Sequence, residues 1–203
     1  MTALGGSERS TYAEIWLERR RVEWLAGRLA AKRAVLEFIG RSGGGPIPAM
    51  NEIRVSATVA GPTRGRPVVN HPVRISLSHS ADLAVAAAGP VLVGVDVEKV
   101  RVLAPPLQEL LRAEPVEASR PRMPLHLRWS CKEAVLKCLG LGMRADLRQV
   151  QLLGWNRSGS FEWRLGQQLR AEVEDAGLPV GITGWGVQQA GYSFALAVAD
   201  RAA

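Results

Sequence analysis

Cysteine, histidine and aromatic rings are all sparse in this chain of 203 residues, which carries 2 Cys, 3 His, 6 Trp, 2 Tyr and 3 Phe. Cys131 and Cys138 lie seven apart in a stretch of helical pattern. At 1.5 Å of rise per residue their backbones would stand roughly 10 Å apart, too far for an internal disulfide. Core-lining thiols in a reducing compartment are the expectation. The widely spaced histidines assemble no zinc site. No apolar run approaches the roughly 20 residues that span a bilayer. The longest, Leu83 to Val95, is broken by Gly89-Pro90. The start, Met1 to Arg9, has no apolar leader, so a cytoplasmic location is expected. The triple glycine Gly43-Gly44-Gly45 is not followed by Gly-Lys-Ser/Thr and reads as a flexible loop.

What is plentiful is positive charge. The formal net charge is +7 and the isoelectric point about 10.2, which points to an acidic protein, a polyphosphate ligand or another anionic partner. Neither basic-aromatic interleaving nor a helix-turn-helix pattern appears, so nucleic acid is not expected. A hydrophobic share of 47% is enough for a core, in one domain or two small ones.

Along the chain, the first ten residues read as flexible. A helix is predicted from an N-cap at Ser10-Thr11, with Glu14 three residues on, to about Gly40, with a break near Arg19-Arg20-Arg21. Arg28 and Lys32, four apart, are its basic pair of interest. Strands are predicted at 53–59, 73–77 and 83–88, with a turn-rich basic loop over Gly61 to Pro67 and a hinge at Ser78 to Asp82. The stretch 101–124 has a helix only at Leu107 to Leu111 and reads as a lid or partner-facing segment. A helix over 125–139 ends at Gly140-Leu141-Gly142. Strands follow at 150–155, 160–165, 181–188 and 192–198. The class is therefore α+β, a pseudo-dimer of two similar halves, each a long helix packed on a small antiparallel sheet. The halves are 1–90 and 91–203, with a cleft between them and the metal site in the second.

Two stretches carry the chemistry. In Val93-Gly94-Val95-Asp96-Val97-Glu98, period-2 alternation puts Val95 and Val97 on one face of a strand and Asp96 and Glu98 on the other. Two carboxylates side by side repel unless a cation or solvent lies between them. In Trp129-Ser130-Cys131-Lys132-Glu133-Ala134-Val135-Leu136-Lys137, Glu133 and Lys137 are helix neighbours. Three acids and a lysine can hold Mg2+ against a pyrophosphate, because magnesium keeps water and uses few carboxylates. Each residue alone is ordinary surface or core chemistry, and the combination is what points to a site. Ser78-His79-Ser80 adds donors suited to phosphate oxygens. Trp129 reads as core packing.

The pair of motifs, about thirty residues apart, resembles the signature of the 4′-phosphopantetheinyl transferases. Trp24 to Lys32, Gly65-Arg66-Pro67 and Ser76 to Ser80 are similar to the larger, Sfp-type branch, so the resemblance runs from about residue 20 to 198. It implies a pseudo-dimer with coenzyme A in the cleft and transfer of phosphopantetheine to a serine of an apo acyl or peptidyl carrier protein, releasing 3′,5′-ADP. Polyketide or fatty acid biosynthesis is the expected setting. By motif, Asp96, Glu98 and Glu133 would hold Mg2+, and Lys137 would bind a phosphate and stabilise the leaving group. Ser78 and His79 would contact coenzyme A phosphates, and Arg66 and Pro67 would sit near its adenine end. Arg28 would also bind the coenzyme. Glu133, directly or through a metal-bound water, would take the serine proton.

The chain departs from the family in its short start, which leaves Arg9, Arg20 and Arg28 as competing partners of the 3′-phosphate. The short start also suggests a domain excised from, or related to, a multienzyme such as a polyketide synthase, and the expected state is a monomeric pseudo-dimer or part of such a multienzyme. A further glutamate of the family could be Glu109, Glu114 or Glu117. A non-catalytic binding module and a nucleic-acid-binding domain are the rival expectations.

Overall fold

Small residues on one face of a sheet let a helix lie against it, and this contact sets the architecture of the second half. The computed structural model describes residues 3–43, 46–118 and 121–200, with the side chain of Met143 excepted. Helices α1 (Gly6–Glu14) and α2 (Glu18–Ser42) are followed by strands β1 (Val55–Ala57), β2 (Pro67–Val69), β3 (Arg74–Ser80), β4 (Leu83–Gly89) and β5 (Val93–Lys99). Next come α3 (Pro105–Arg112), α4 (Leu125–Leu139), β6 (Val150–Trp155), β7 (Ser160–Leu165), α5 (Gln167–Asp175), β8 (Ile182–Gln189) and β9 (Tyr192–Ala199). Mixed helix and antiparallel sheet is thus the class. β1 pairs with β2, β3 with β4, and a five-stranded sheet runs β5-β9-β8-β7-β6.

In that larger sheet Gly94 pairs with Ala197 and Asp96 with Ala195, while Gly184 and Gly186 pair with the same two alanines from the other side. The resulting face of glycine and alanine receives α4, whose residues from Leu127 to Leu139 are almost all buried. The approach is closest at Gly94, where a Cβ would stand 1.9 Å from the carbonyl oxygen of Ala134 and 2.4 Å from the amide of Cys138. Both obstacles are backbone, so neither can swing aside. Gly94→Ala is expected to destabilise the fold by at least about 3 kcal/mol, at the upper end for overpacking. The midpoint of urea unfolding checks this.

The first half has its own core, in which Ala31 and Val35 of α2 meet Ile53, Val55, Val73 and Ile75. The second core centres on α4. The strands differ around the two cores, with β1–β4 in two pairs and β5–β9 in one sheet.

Several local expectations are corrected. The N-terminal helix starts at Gly6, and Ser10 and Thr11 sit inside it with hydroxyls bonded back to the carbonyls of Gly6 and Ser7. The acid that closes the first turn is Glu8, whose Oε2 accepts the Gly5 amide at 3.0 Å. The helical break falls at Ile15–Leu17 rather than at the arginines. β3 runs on to Ser80, so residues 78–80 are strand, and the turn is only Ala81-Asp82. β2 was hidden in a basic, turn-rich loop. α5 was missed because its apolar stripe is only Leu169 and Val173. Gly43 caps α2 with φ 63°, whereas Gly44 and Gly45 of the triple glycine lie outside the described residues. In the segment 101–124 α3 is longer than expected, and Ser119 and Arg120 lie outside the described residues. Both cysteines are buried and free, and burial pushes the Cys138 thiol up to about 12. No helix among the described residues is long and apolar enough to cross a membrane.

Candidate active site

Asp96 points from the α4 face of β5 and is buried. Its Oδ1 accepts hydrogen bonds from the Lys137 ammonium at 2.7 Å and the Ser78 hydroxyl at 2.8 Å. Lys137 also donates to Ser78 Oγ at 2.9 Å. One strand from each half and the central helix therefore meet at a single carboxylate oxygen. One turn before Lys137, Glu133 is 3% exposed. Burial, then the charge of Asp96, and more weakly that of Glu98, push its carboxyl up to about 7, with Lys137 opposing. Glu98 is half-buried, and its Oε2 accepts the Ser80 hydroxyl at 3.0 Å.

Asp96 Oδ2 and Glu133 Oε1 are buried and have no hydrogen-bond partner. Two orphaned carboxylate oxygens in repelling side chains are a donor set short of a cation. Among the described residues, however, no three His, Cys, Asp or Glu side chains are gathered closely enough to hold a metal ion by themselves. The expected cage of Asp96, Glu98 and Glu133 is therefore not preformed. This suits magnesium, which commonly takes one or two carboxylates and completes its octahedron with water and substrate phosphates.

Glu133 and Lys137 open into a cleft of ≈ 440 Å³ whose walls include Arg28, Arg64, Arg66 and Arg144. A cleft with five cations and one acid is built for a polyanion. Arg28 stands 4.7 Å over the Trp24 ring, and its Nε is buried without a partner. Arg66 is anchored by a 2.7 Å bond from Nη2 to the Cys138 carbonyl, and its guanidinium lies against Gly140 (φ 76°), where a Cβ would collide with it. Pro67 also lines the cleft. Arg144, which no sequence motif marks, donates to the carbonyls of Pro62 and Gly140 at 2.8 and 3.2 Å. It ties the basic 61–67 loop to the end of α4.

Other expected residues lie elsewhere. His79 points to the opposite side of β3 from Ser78, and its Nε2 is 3.4 Å from Glu23 Oε2. It lines a neighbouring groove with Trp16, Arg20, Trp24 and Arg28. Lys32 is fully buried in an ion pair with Glu8 and donates to the carbonyls of Ala3 and Met50, so it secures α1 to α2. Arg9 donates to the Leu4 carbonyl at 3.2 Å. Glu114 pairs with buried Lys132 and accepts the Leu152 amide at 2.8 Å. Glu117 pairs with Arg128 at 2.6 Å and with Arg122. Glu109 is exposed on α3. Glu114 and Glu117 brace the 105–124 segment against α4, and neither joins Asp96. Trp129 is half-buried.

Residues 92–183, which hold Asp96, Glu98, Glu133 and Lys137, match the model of the 4′-phosphopantetheinyl transferase superfamily. The match spans both motifs, so this region of the chain is similar to the phosphopantetheinyl transferases. Among solved structures it is similar to the holo-[acyl-carrier-protein] synthase of Neisseria meningitidis, with 24% identity and a TM-score of 0.40 over 54% of this chain and 97% of that one. It is also similar to the holo-[acyl-carrier-protein] synthase of Helicobacter pylori in complex with coenzyme A, with 13% identity and a TM-score of 0.36 over 53% and 99%. Comparison with curated proteins finds no match.

Proposed function

We propose that this protein transfers the 4′-phosphopantetheine arm of coenzyme A to a serine hydroxyl of an apo acyl or peptidyl carrier protein and releases 3′,5′-ADP. The observation that carries the reading is the Lys137–Asp96–Ser78 junction, whose Lys137 lines an arginine-rich cleft together with Glu133. The arginines offer phosphate-binding donors along the cleft, with Arg28, Arg66 and Pro67 on its walls. The halves 1–90 and 91–203 flank this cleft, in the manner of the Sfp-type branch. Ser78, already committed to Asp96 and Lys137, serves to fix them, and His79 would reach the coenzyme from the neighbouring groove.

In the reaction the serine oxygen attacks the pantetheine-side phosphorus. The bond from that phosphorus to the bridging oxygen breaks, and 3′,5′-ADP leaves. Glu133, poised near neutrality, accepts the serine proton. Lys137 places a positive charge beside the oxygens on which negative charge grows. Asp96 and Glu133, with Glu98 adjacent, would hold Mg2+, which when bound neutralises pyrophosphate charge. The +7 net charge favours an acidic carrier, with association weakening as salt rises.

Incubation with coenzyme A, Mg2+ and an apo carrier, followed by intact-mass measurement of the carrier, tests the reading. A phosphopantetheine adduct that is lost in EDTA and restored by excess Mg2+ is expected. Absence of an adduct across acyl and peptidyl carriers would leave the cleft as a coenzyme-binding module.

A further inference from the structure

The two halves are joined along β3 and β5 by side-chain hydroxyls. Ser76, Ser78 and Ser80 alternate along β3 and all face β5, while Leu77 and His79 face the other way. Ser76 Oγ accepts the Val95 amide at 3.0 Å, and Ser80 Oγ accepts the Lys99 amide at 3.1 Å. Moving four residues along β3 advances the bond four residues along β5, so the strands run parallel and in step. The hydroxyls stand where a backbone ladder would otherwise form, since β3 and β5 belong to different sheets.

This arrangement leaves each proton one destination. A serine hydroxyl has a single proton and two lone pairs. At Ser80 the Lys99 amide can only donate, so it occupies a lone pair and the proton goes to Glu98 Oε2 at 3.0 Å. At Ser78 the Lys137 ammonium plays the same part and the proton goes to Asp96. The seam thus orients both β5 acids from the opposite half, each by a directed hydroxyl proton. Ser78 belongs to the junction already described, whereas the Ser80 hydroxyl, among the described residues, bonds Glu98 and the Lys99 amide.

We propose that Ser80 is a positioning residue that fixes the Glu98 carboxylate for the divalent ion, an inference that rests on the transferase reading for the ion's presence. Outer partners of ligating carboxylates tune metal affinity, commonly by 10- to 100-fold. With Oε2 tethered to Ser80, the Glu98 carboxylate has fewer rotamers open to it. A half-buried glutamate without that tether would sample several rotamers and bind the ion more weakly.

Mn2+ serves as the probe, its free concentration read by electron paramagnetic resonance at saturating coenzyme A. Ser80→Ala is expected to weaken Mn2+ binding by about 10-fold or more, and Ser80→Thr, which keeps the hydroxyl, to bind like wild type. In a Glu98→Gln background, Ser80→Ala should add less than about 2-fold, because the two changes act through one carboxylate. A purely structural serine would cost the same factor in both backgrounds. Should Ser80→Ala fail to fold, Ser80→Cys, with a weaker donor in the same place, is expected to fall between wild type and Glu98→Gln. The proposal is overturned if the Ser80 variants bind Mn2+ as wild type does, or if the loss persists undiminished in Glu98→Gln. Carrier modification is scored separately by mass. Wild-type protein with Ser80-dependent Mn2+ binding but no carrier adduct would refute the transferase reading and keep the role of Ser80.

Discussion

Glu133→Gln should move activity and stability in opposite directions. Transfer to the carrier is expected to fall by about 10²- to 10⁴-fold, the range for loss of a positioned general base. The metal-free fold, by contrast, should gain stability at alkaline pH. The carboxyl of Glu133 is raised from an ordinary value of 4.5 to about 7 in the folded protein, mainly by burial and then by Asp96. Folding therefore favours the protonated acid. This contribution is fully present below pH 4.5, is lost as pH rises towards about 7, and is absent above it. At about 1.4 kcal/mol per pH unit, the wild type should lose on the order of 3 kcal/mol from this group between pH 4.5 and 8. Glutamine cannot ionise, so the variant should lack that part of the decline. Urea unfolding in EDTA at several pH values, beside single-turnover transfer rates, checks both effects. A wild type and a Glu133→Gln variant with the same pH dependence would show that burial and the Asp96 charge do not hold Glu133 in its protonated form.

Lys137→Met should impair both transfer and the stability of the site. Its ammonium is the only side-chain cation that bonds Asp96 Oδ1 among the described residues, and it also fixes Ser78. Methionine keeps much of the aliphatic bulk, so the loss is mainly electrostatic. Removing one preorganised donor to a developing oxyanion costs about 10²- to 10³-fold in kcat. The buried Asp96 would lose its charge partner as well, which should lower stability by roughly 1–3 kcal/mol. The two effects can be separated with Asp96→Asn combined with Lys137→Met. If charge pairing dominates stability, the double variant should regain much of what Lys137→Met loses while remaining inactive. A Lys137→Met variant with wild-type kcat would remove Lys137 from the reaction.

Alternation and glycine stops made several elements of the second half of the chain legible. The helix 125–139 and the strands 150–155 and 160–165 fall where alternation and glycine stops put them. Weak, short elements were not legible. α5 has two apolar residues to mark it, and β2 is three residues long in a loop whose glycines and prolines signal a turn. At the N-terminus, Ser10-Thr11 followed by Glu14 imitates a capping box, but the helix had already begun. Buried Lys32 needed a partner, and Glu8 supplied it by drawing α1 onto α2.

The amino-acid order by itself determined that Asp96 and Glu98 share a strand face and that Glu133 and Lys137 share a helix face, because those periods are properties of local backbone geometry. It also placed Gly94 on the same strand face as the two acids. Only the tertiary structure decided that Lys137 would bond Asp96, that Ser78 would reach it from the other half, and that Glu114 and Glu117 would be spent on bracing α4. Those outcomes depend on how closely β5 approaches α4 and on which face of β3 meets β5. Both are settled by packing between elements far apart in the chain, which no local pattern encodes.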